Sequence, residues 1–503
     1  MIANSWKSTL LIVVLVLALA HLSIVTCASG PKYGGTLKVA LPAEPPGLDP
    51  TTHTAAVIDR VLYNNVYQGL VRINREGEVV PSLARDWEVS EDGTLYTFYL
   101  REEVKFHNGK QFTAEDVSFT FERARSETTS VPHPEYFAPI ENIETPSPTT
   151  VEIHLSRPSS IFLFNLARGD SVILPSGVEE LSSHPVGTGP FKFNNWKRGS
   201  NLTLTRYEDY YRDELPYLDK VVFEFIGDVN TRITSLKSGG IDAIAYLSSP
   251  ENAVSLKEVN SLKVLTGLTT WEVILAMNNS REPFSDPLVR KAINFALDRE
   301  EIIEGATFGF GEPIGSLMSP TNPNYLDLAW LYPHDPDKAR NLLKEAGYPE
   351  GFEATLILPA NYELSLRSGK IIADQAGKVG INLKIEKISW AQWLQRVFSN
   401  AEYDLTIIGH SEAFDISVYG NPNYYFKYDN DRFQQVIKRA ERETDEETRR
   451  QLYSVAQWII AEDVPSAFLF SAPSLPAMRN EVMNWWKDYP IPAVDVTEVW
   501  IDE

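Results

Sequence analysis

Between Val273 and Ile303 the sequence reads VILAMNNSREPFSDPLVRKAINFALDREEII, and its apolar pattern changes period once. Val273 to Met277 is a continuous apolar run of strand length. After a polar turn, Leu288, Ala292, Ile293, Ala296 and Leu297 recur at helical spacing and give one apolar face. Asp286 is placed to cap that helix, and Pro287 to take its first position, where a missing N–H costs nothing. A buried strand leading through a turn into a capped amphipathic helix is an α/β unit. We read this stretch as the point where the chain leaves one lobe and starts another. Nothing in it is catalytic.

A chain of 503 residues is too long for one small core, so two or three domains are expected. Lys+Arg 46 against Asp+Glu 68 gives a net charge of −22, which argues against nucleic acid or an anionic membrane as the main partner. Solubility accounts for such a charge.

The first residues stand apart. Lys7 precedes an unbroken apolar run from Leu10 to Ala20, too short to span a bilayer but suited to a secretory signal. The single cysteine, Cys27, follows it. Ile24-Val25-Thr26-Cys27 resembles a lipoprotein cleavage box, in which Cys27 carries a lipid anchor, but Thr26 fits that box poorly. Thr26-Cys27-Ala28 suits ordinary cleavage before Ser29, which leaves residues 1–29 as a signal peptide. Either way the folded part holds no cysteine and no disulfide, compatible with a periplasmic or cell-surface location. No later segment is apolar enough to cross a membrane.

Further along, Lys32–Ala40 reads as a strand and Ala43–Thr52 as a turn-rich loop. Asp92-Gly93 signals a hairpin. A helix starts at Thr113 with Asp116 as its capping-box partner, and Val117, Phe121 and Ala124 form its apolar face. Val151, Ile153 and Leu155 alternate as a strand. Strands are expected at Phe191–Phe193, Leu202–Leu204 and Val221–Phe225, and a short helix at Thr231–Ser238, stopped by Gly239-Gly240. A helix over His334–Tyr348 has Asp335 as cap and Pro336 at its first position. Ile381, Leu383 and Ile385 alternate as a strand. Trp390–Phe398 is amphipathic, Tyr403–Ile408 strand-like, Glu446–Ala461 a long helix and Ala467–Phe470 a buried strand.

Reactive constellations are missing from the sequence. The eight histidines show no metal-ligand spacing. There is no GxSxG elbow and no P-loop, and Gly309, Gly311 and Gly315 have the wrong spacing for a dinucleotide fingerprint. With so many acids a glycosidase-type carboxylate pair stays open. The pattern favours binding over catalysis, with no cofactor and no metal expected.

The segments EPPGLDP, LARDWEVSEDGTLYTFYLREEVKFHNGKQFTAEDVSFTFER, GTGPFKF, LKSGGIDAI, FSDPLVRKAINFALDREEII and DPDKARNLLKEAGYP occur in this order. The set resembles the extracellular solute-binding proteins of family 5, the oligopeptide/dipeptide/nickel-type substrate-binding components of ABC importers. The resemblance spans essentially the whole mature chain. It implies an α/β, two-lobed, three-domain fold of the type II periplasmic-binding-protein class. Domain I is expected from 32–56, 185–275 and 478–503, domain II from 57–184 and domain III from 276–477. It also implies a ligand held between lobes that close about a hinge, a monomer, and the permease and ATPase subunits of an importer as partners.

Ligand-facing residues follow from the same resemblance. Trp390 matches a pocket tryptophan of peptide binders, although Trp390, Trp393, Leu394, Val397 and Phe398 also form a helical stripe that would pack as core. Asp415 matches an aspartate that holds a ligand's α-ammonium, and it also suits a loop cap. Trp271 at the lobe crossing, the Glu44–Gly47 loop, His53 and Tyr424 complete the candidate set. Two departures weaken a dipeptide reading: Gly409-His410 replaces the usual Gly-Trp pair, and no arginine stands beside Tyr362 to take a ligand carboxylate. The leading expectation is an oligopeptide ligand. An oligosaccharide stacked on Trp271 and Trp390 is the alternative, and a secreted hydrolase with a cleft carboxylate pair is the rival of another class.

Overall fold

The computed structural model describes residues 30–126, 130–178 and 180–502. The expected signal segment, with Leu10–Ala20 and Cys27, lies outside the described residues. Among the described residues, no helix is long and apolar enough to cross a membrane.

Two lobes are built on separate sheets. The first lobe carries a seven-stranded mixed sheet, in the order Leu262–Val264, Ala477–Arg479, Ala243–Ile244, Thr36–Leu41, Lys220–Phe225, Asn201–Arg206 and Phe191–Lys197. A four-stranded antiparallel sheet, Ala84–Val89, Leu95–Leu100, Thr150–Leu155 and Ile140–Ser147, belongs to the same lobe. One core joins them, from Leu37, Val39 and Val221 through to Phe98, Val117 and Phe121. The hairpin expected at Asp92-Gly93 is present, and Asp92 accepts hydrogen bonds from Ser90 and Thr94. Thr113 and Asp116 form the expected capping box on the helix Ala114–Arg125.

The second lobe is a six-stranded sheet, in the order Glu312–Pro313, Ser466–Ser474, Gly267–Met277, Leu405–His410, Phe352–Pro359 and Ile381–Ile388. Helices cover both its faces. Val273 and Leu275 pack into one core, and Ile274 and Ala276 into the other. That double burial explains why this strand is apolar at every position instead of alternating.

Two connections join the lobes. The strand Gly267–Met277 begins beside the first lobe, where Leu268 N–H donates to Asp488 and Tyr489 N–H donates to Leu268, and ends in the second sheet. The chain returns through Leu475 and Pro476, between the strands Ser466–Ser474 and Ala477–Arg479. The crossing strand is longer than the apolar run alone predicts. Its start is polar because Thr269 to Trp271 leave the core, and its pairing is irregular between Leu268 and Glu272. The single helix expected after Asp286 is two. Pro287–Ala296 is capped by Asp286, Leu297 breaks it with an extended backbone, and Asp298 caps Arg299–Thr307. The amphipathic segment from Trp390 turns once as an α-helix and widens to a π-helical turn over Leu394–Ser399.

Candidate ligand-binding site

A cleft of about 900 Å³ separates the lobes. The first-lobe wall comprises the helix Ala56–Leu62, residues 168–170 and the loops 246–251 and 489–493. The second-lobe wall comprises the crossing strand near Trp271, residues 361–365, Arg367, the loop after Gly409 and residues 472–475.

Charge on the first wall is concentrated at Asp59, Arg60, Arg168 and Asp170. The helix Ala56–Leu62 buries Val57, Ile58, Val61 and Leu62, which leaves Asp59 and Arg60 facing the cleft. Arg60 donates to the Tyr246 hydroxyl at 2.8 Å and lies over its ring. Arg168 reaches across the cleft to Glu412 of the second lobe at 2.7 Å. Gly169 is required here, because a Cβ at this position would overlap the Asp59 carboxylate. Burial and the neighbouring Asp170 carboxylate push Asp59 up to about 7, against the opposing pull of Arg168 and Arg60. Asp170 is raised by its own burial.

The second wall carries the cleft's two large flat rings from this lobe, Trp271 and Tyr362, among small and apolar residues and the charged Glu363, Arg367 and Glu412. The Trp271 indole lies against Gly409, where any Cβ would overlap it. One face of Trp271 stays open, with 36% of the residue exposed. Tyr362 lines the cleft, Trp390 packs behind it at 5.2 Å, and Trp393 stacks behind Trp390 at 4.9 Å and 8°. Arg367 pairs with Glu251 of the first lobe at 3.3 Å, a second charged contact across the cleft. On the opposite face of the crossing strand, Glu272 is buried with one carboxyl oxygen unpartnered. Its burial and Asp415 hold it well above the usual carboxylate range.

Of the residues singled out from sequence, Trp271 and His53 face the cleft. Trp390 stands one ring behind Tyr362. Trp393 is core, 3% exposed, with its indole N–H donated to Thr406. Asp415 accepts from the Glu412 N–H and lies 3.3 Å from His410, behind the loop that forms the wall. Tyr424 packs among Phe398, Tyr425 and Phe426. Glu44 is turned away from the cleft and braces the hairpin between Phe191–Lys197 and Asn201–Arg206 by accepting from Trp196 and Gly199.

Sequence reasoning missed Asp59, Arg60, Arg168, Asp170, Tyr246 and Arg367. Two signals were present: an Asp-Arg pair inside an otherwise apolar helix, and a glycine between opposite charges in Arg168-Gly169-Asp170. Arg367 lies five residues past Tyr362, so the segment does hold a cleft arginine, committed to Glu251. Glu144, Glu152 and His154 bring ligand atoms within 4.8 Å of one another, but on the four-stranded sheet and outside the cleft. Strand pairing, which places Glu144 opposite Glu152, makes this cluster, and sequence spacing gives no hint of it.

The chain is similar to the heme-binding protein A of Haemophilus influenzae, 30% identical over 461 residues covering 82% of this chain and 83% of that one. It is similar to the glutathione-binding protein GsiB of Escherichia coli K12, 27% identical over 454 residues, 85% of this chain and 88% of that one. Among solved structures it resembles DppA of Helicobacter pylori in complex with the peptide STSA, with a TM-score of 0.70, 28% identity, and coverage of 94% of this chain and 99% of that one. Residues 78–432 match the family described as bacterial extracellular solute-binding proteins, family 5. Two sheets joined by two crossings around an interlobe cleft agree with that match, and the chain belongs to the family 5 extracellular solute-binding proteins, the substrate-binding components of ABC transporters.

Proposed function

We propose that this protein captures an oligopeptide in the interlobe cleft and delivers it to a membrane permease, acting in the periplasm or at the cell surface. The observation that carries this reading is the cleft itself. At about 900 Å³ it sits at the upper end of the range of roughly 300–1,000 Å³ for ligand sites, and segments of both lobes wall it. A ligand touching both walls binds the closed arrangement better and shifts the population towards it. The Arg168–Glu412 and Arg367–Glu251 pairs fasten the same closure.

Similarity to proteins named for glutathione and solved with a tetrapeptide supports a peptide. Trp271 and His53 face the ligand in this reading, and Asp415 acts through the wall loop that it holds. The domain division in this reading is 32–56, 185–275 and 478–503 for domain I, 57–184 for domain II and 276–477 for domain III. The open face of Trp271 favours a second reading, an oligosaccharide ring stacked there.

Mass spectrometry of whatever co-purifies identifies the guest. A thermal-shift panel of peptides, xylo- and cello-oligosaccharides and nickel tests the two readings. A ligand at 100 times its Kd adds about 2.7 kcal/mol of stability. Peptides are expected to raise the melting temperature. A shift with sugars alone, or hydrolysis of the guest by purified protein, would overturn the proposal.

A further inference from the structure

We propose that the first-lobe wall is a subsite for a basic group of the ligand, a protonated amine or guanidinium that docks between the carboxylates of Asp59 and Asp170. The inference rests on the cleft being the binding site and adds the charge of the guest.

Compensation among the cleft's charges leads to it. The three arginines that line the cleft are each engaged: Arg60 by the Tyr246 hydroxyl, Arg168 by Glu412 and Arg367 by Glu251. Glu251 and Glu412 are thereby paired as well, and Glu363 lies 3.8 Å from Arg367. Asp59 and Asp170 are left over. Among the described residues, the Asp59 carboxylate makes no ion pair and accepts no hydrogen bond. Asp170 is 7% exposed and lines the cleft, yet its Oδ2 has no hydrogen-bond partner. A buried acceptor left unpaired is costly and calls for a partner. Two like charges held close together in a sheltered wall add to that cost. A cationic donor between them relieves both terms.

The backbone is arranged for this proximity. Gly169 leaves room for Asp59 to pack against the main chain of the segment that carries Asp170. Arg168 lies beside both acids but turns its guanidinium to Glu412. His133 approaches Asp170 from the preceding loop, and its Nδ1 is bonded to Glu135. With Asp59 raised to about 7, docking of a cation draws off a proton, so binding tightens as the pH rises through 7.

The test uses ligand-stripped mature protein and calorimetric titration at pH 8. The probes are alanine-based tetrapeptides with one lysine, their norleucine counterparts, N-acetylated versions of each, and spermidine. Replacing lysine removes a side-chain cation, and acetylation removes the terminal one, so the two arms separate the sources. One of these removals is expected to weaken binding to the wild type about tenfold or more. That penalty is expected to vanish in the Asp59→Asn/Asp170→Asn variant. The wild-type comparison stands even where the variant folds poorly. If neither removal costs affinity, or if the penalty survives in a folded variant, the subsite is overturned while the peptide reading stands. If spermidine binds the wild type and loses to the variant while no peptide binds, the subsite stands and the peptide reading falls. No binding by any probe removes both.

Discussion

The two walls of the cleft are made by different chemistry. The first-lobe wall presents charge: among the described residues Asp59 has no ion pair and Asp170 Oδ2 no hydrogen-bond partner, while Arg60 and Arg168 are engaged. The second-lobe wall presents flat rings, Trp271 on Gly409 and Tyr362 backed by Trp390 and Trp393. Rings that pack on glycine or on one another offer area at little entropy cost and accept many shapes. Unpaired carboxylates discriminate, because they favour one charge and penalise the other. If the proposed subsite holds, affinity and selectivity reside on opposite lobes and come together when the lobes meet.

The largest expected effect separates the second wall's surface from its support. Trp393→Ala should destabilise the fold by about 3–5 kcal/mol, as large core truncations do, with affinity per folded molecule nearly unchanged. Trp271→Ala should do the reverse, costing little stability and weakening ligand binding by about tenfold. Chemical denaturation and calorimetry on both variants check this; equal effects on both properties would erase the distinction.

Gly409→Ala probes how the second wall is held. The added Cβ must displace the Trp271 indole, so a loss of about 1–3 kcal/mol is expected, with a shift in tryptophan fluorescence. An unshifted spectrum at full stability would show that the ring has room to spare.

On the first wall, Asp59→Asn tests the raised acid. Its folded value of about 7 exceeds the unfolded carboxylate value of about 3.9, so the folded state holds the proton more tightly. The stability this contributes is fully present below about pH 4 and is lost as pH rises through 7. The variant should therefore match the wild type near pH 4 and exceed it at pH 8, by on the order of 2 kcal/mol given the partial exposure of the group. Melting curves across that range read the difference, and parallel curves would refute it.

The smallest effects concern the pairs that join the walls. Arg168→Met or Arg367→Met should cost about 1 kcal/mol or less in closure, because both pairs are partly exposed. Affinity measured against ionic strength should show a weaker salt dependence in either variant than in the wild type.

Local signals in the sequence were legible where a residue's partner is a few positions away. The Asp286 and Asp335 caps, the Thr113–Asp116 capping box and the left-handed stop at Gly239 all lie within one helical turn of what they bond. The Trp390 stripe shows where this ends. Periodicity states that Trp390 and Trp393 share a face, but the cleft ring is Tyr362, which comes from a different segment and covers Trp390. Gly409 likewise reads as one glycine among many until Trp271 is placed on it. Asp415 opens a short 3-10 helix just behind the cleft loop, and its carboxylate turns back to the Glu412 N–H and His410.

By itself the sequence determined the α/β class, the run of strands and capped helices, the order of motifs that marks the family, and the crossing strand from Val273. These depend on period and on short-range bonding, which neighbouring residues settle among themselves. Only the tertiary structure decided which side chains share the cleft. Asp59, Asp170, Trp271 and Arg367 come from segments far apart in the chain, and their separations are set by how two sheets pack and where the crossings let the lobes meet.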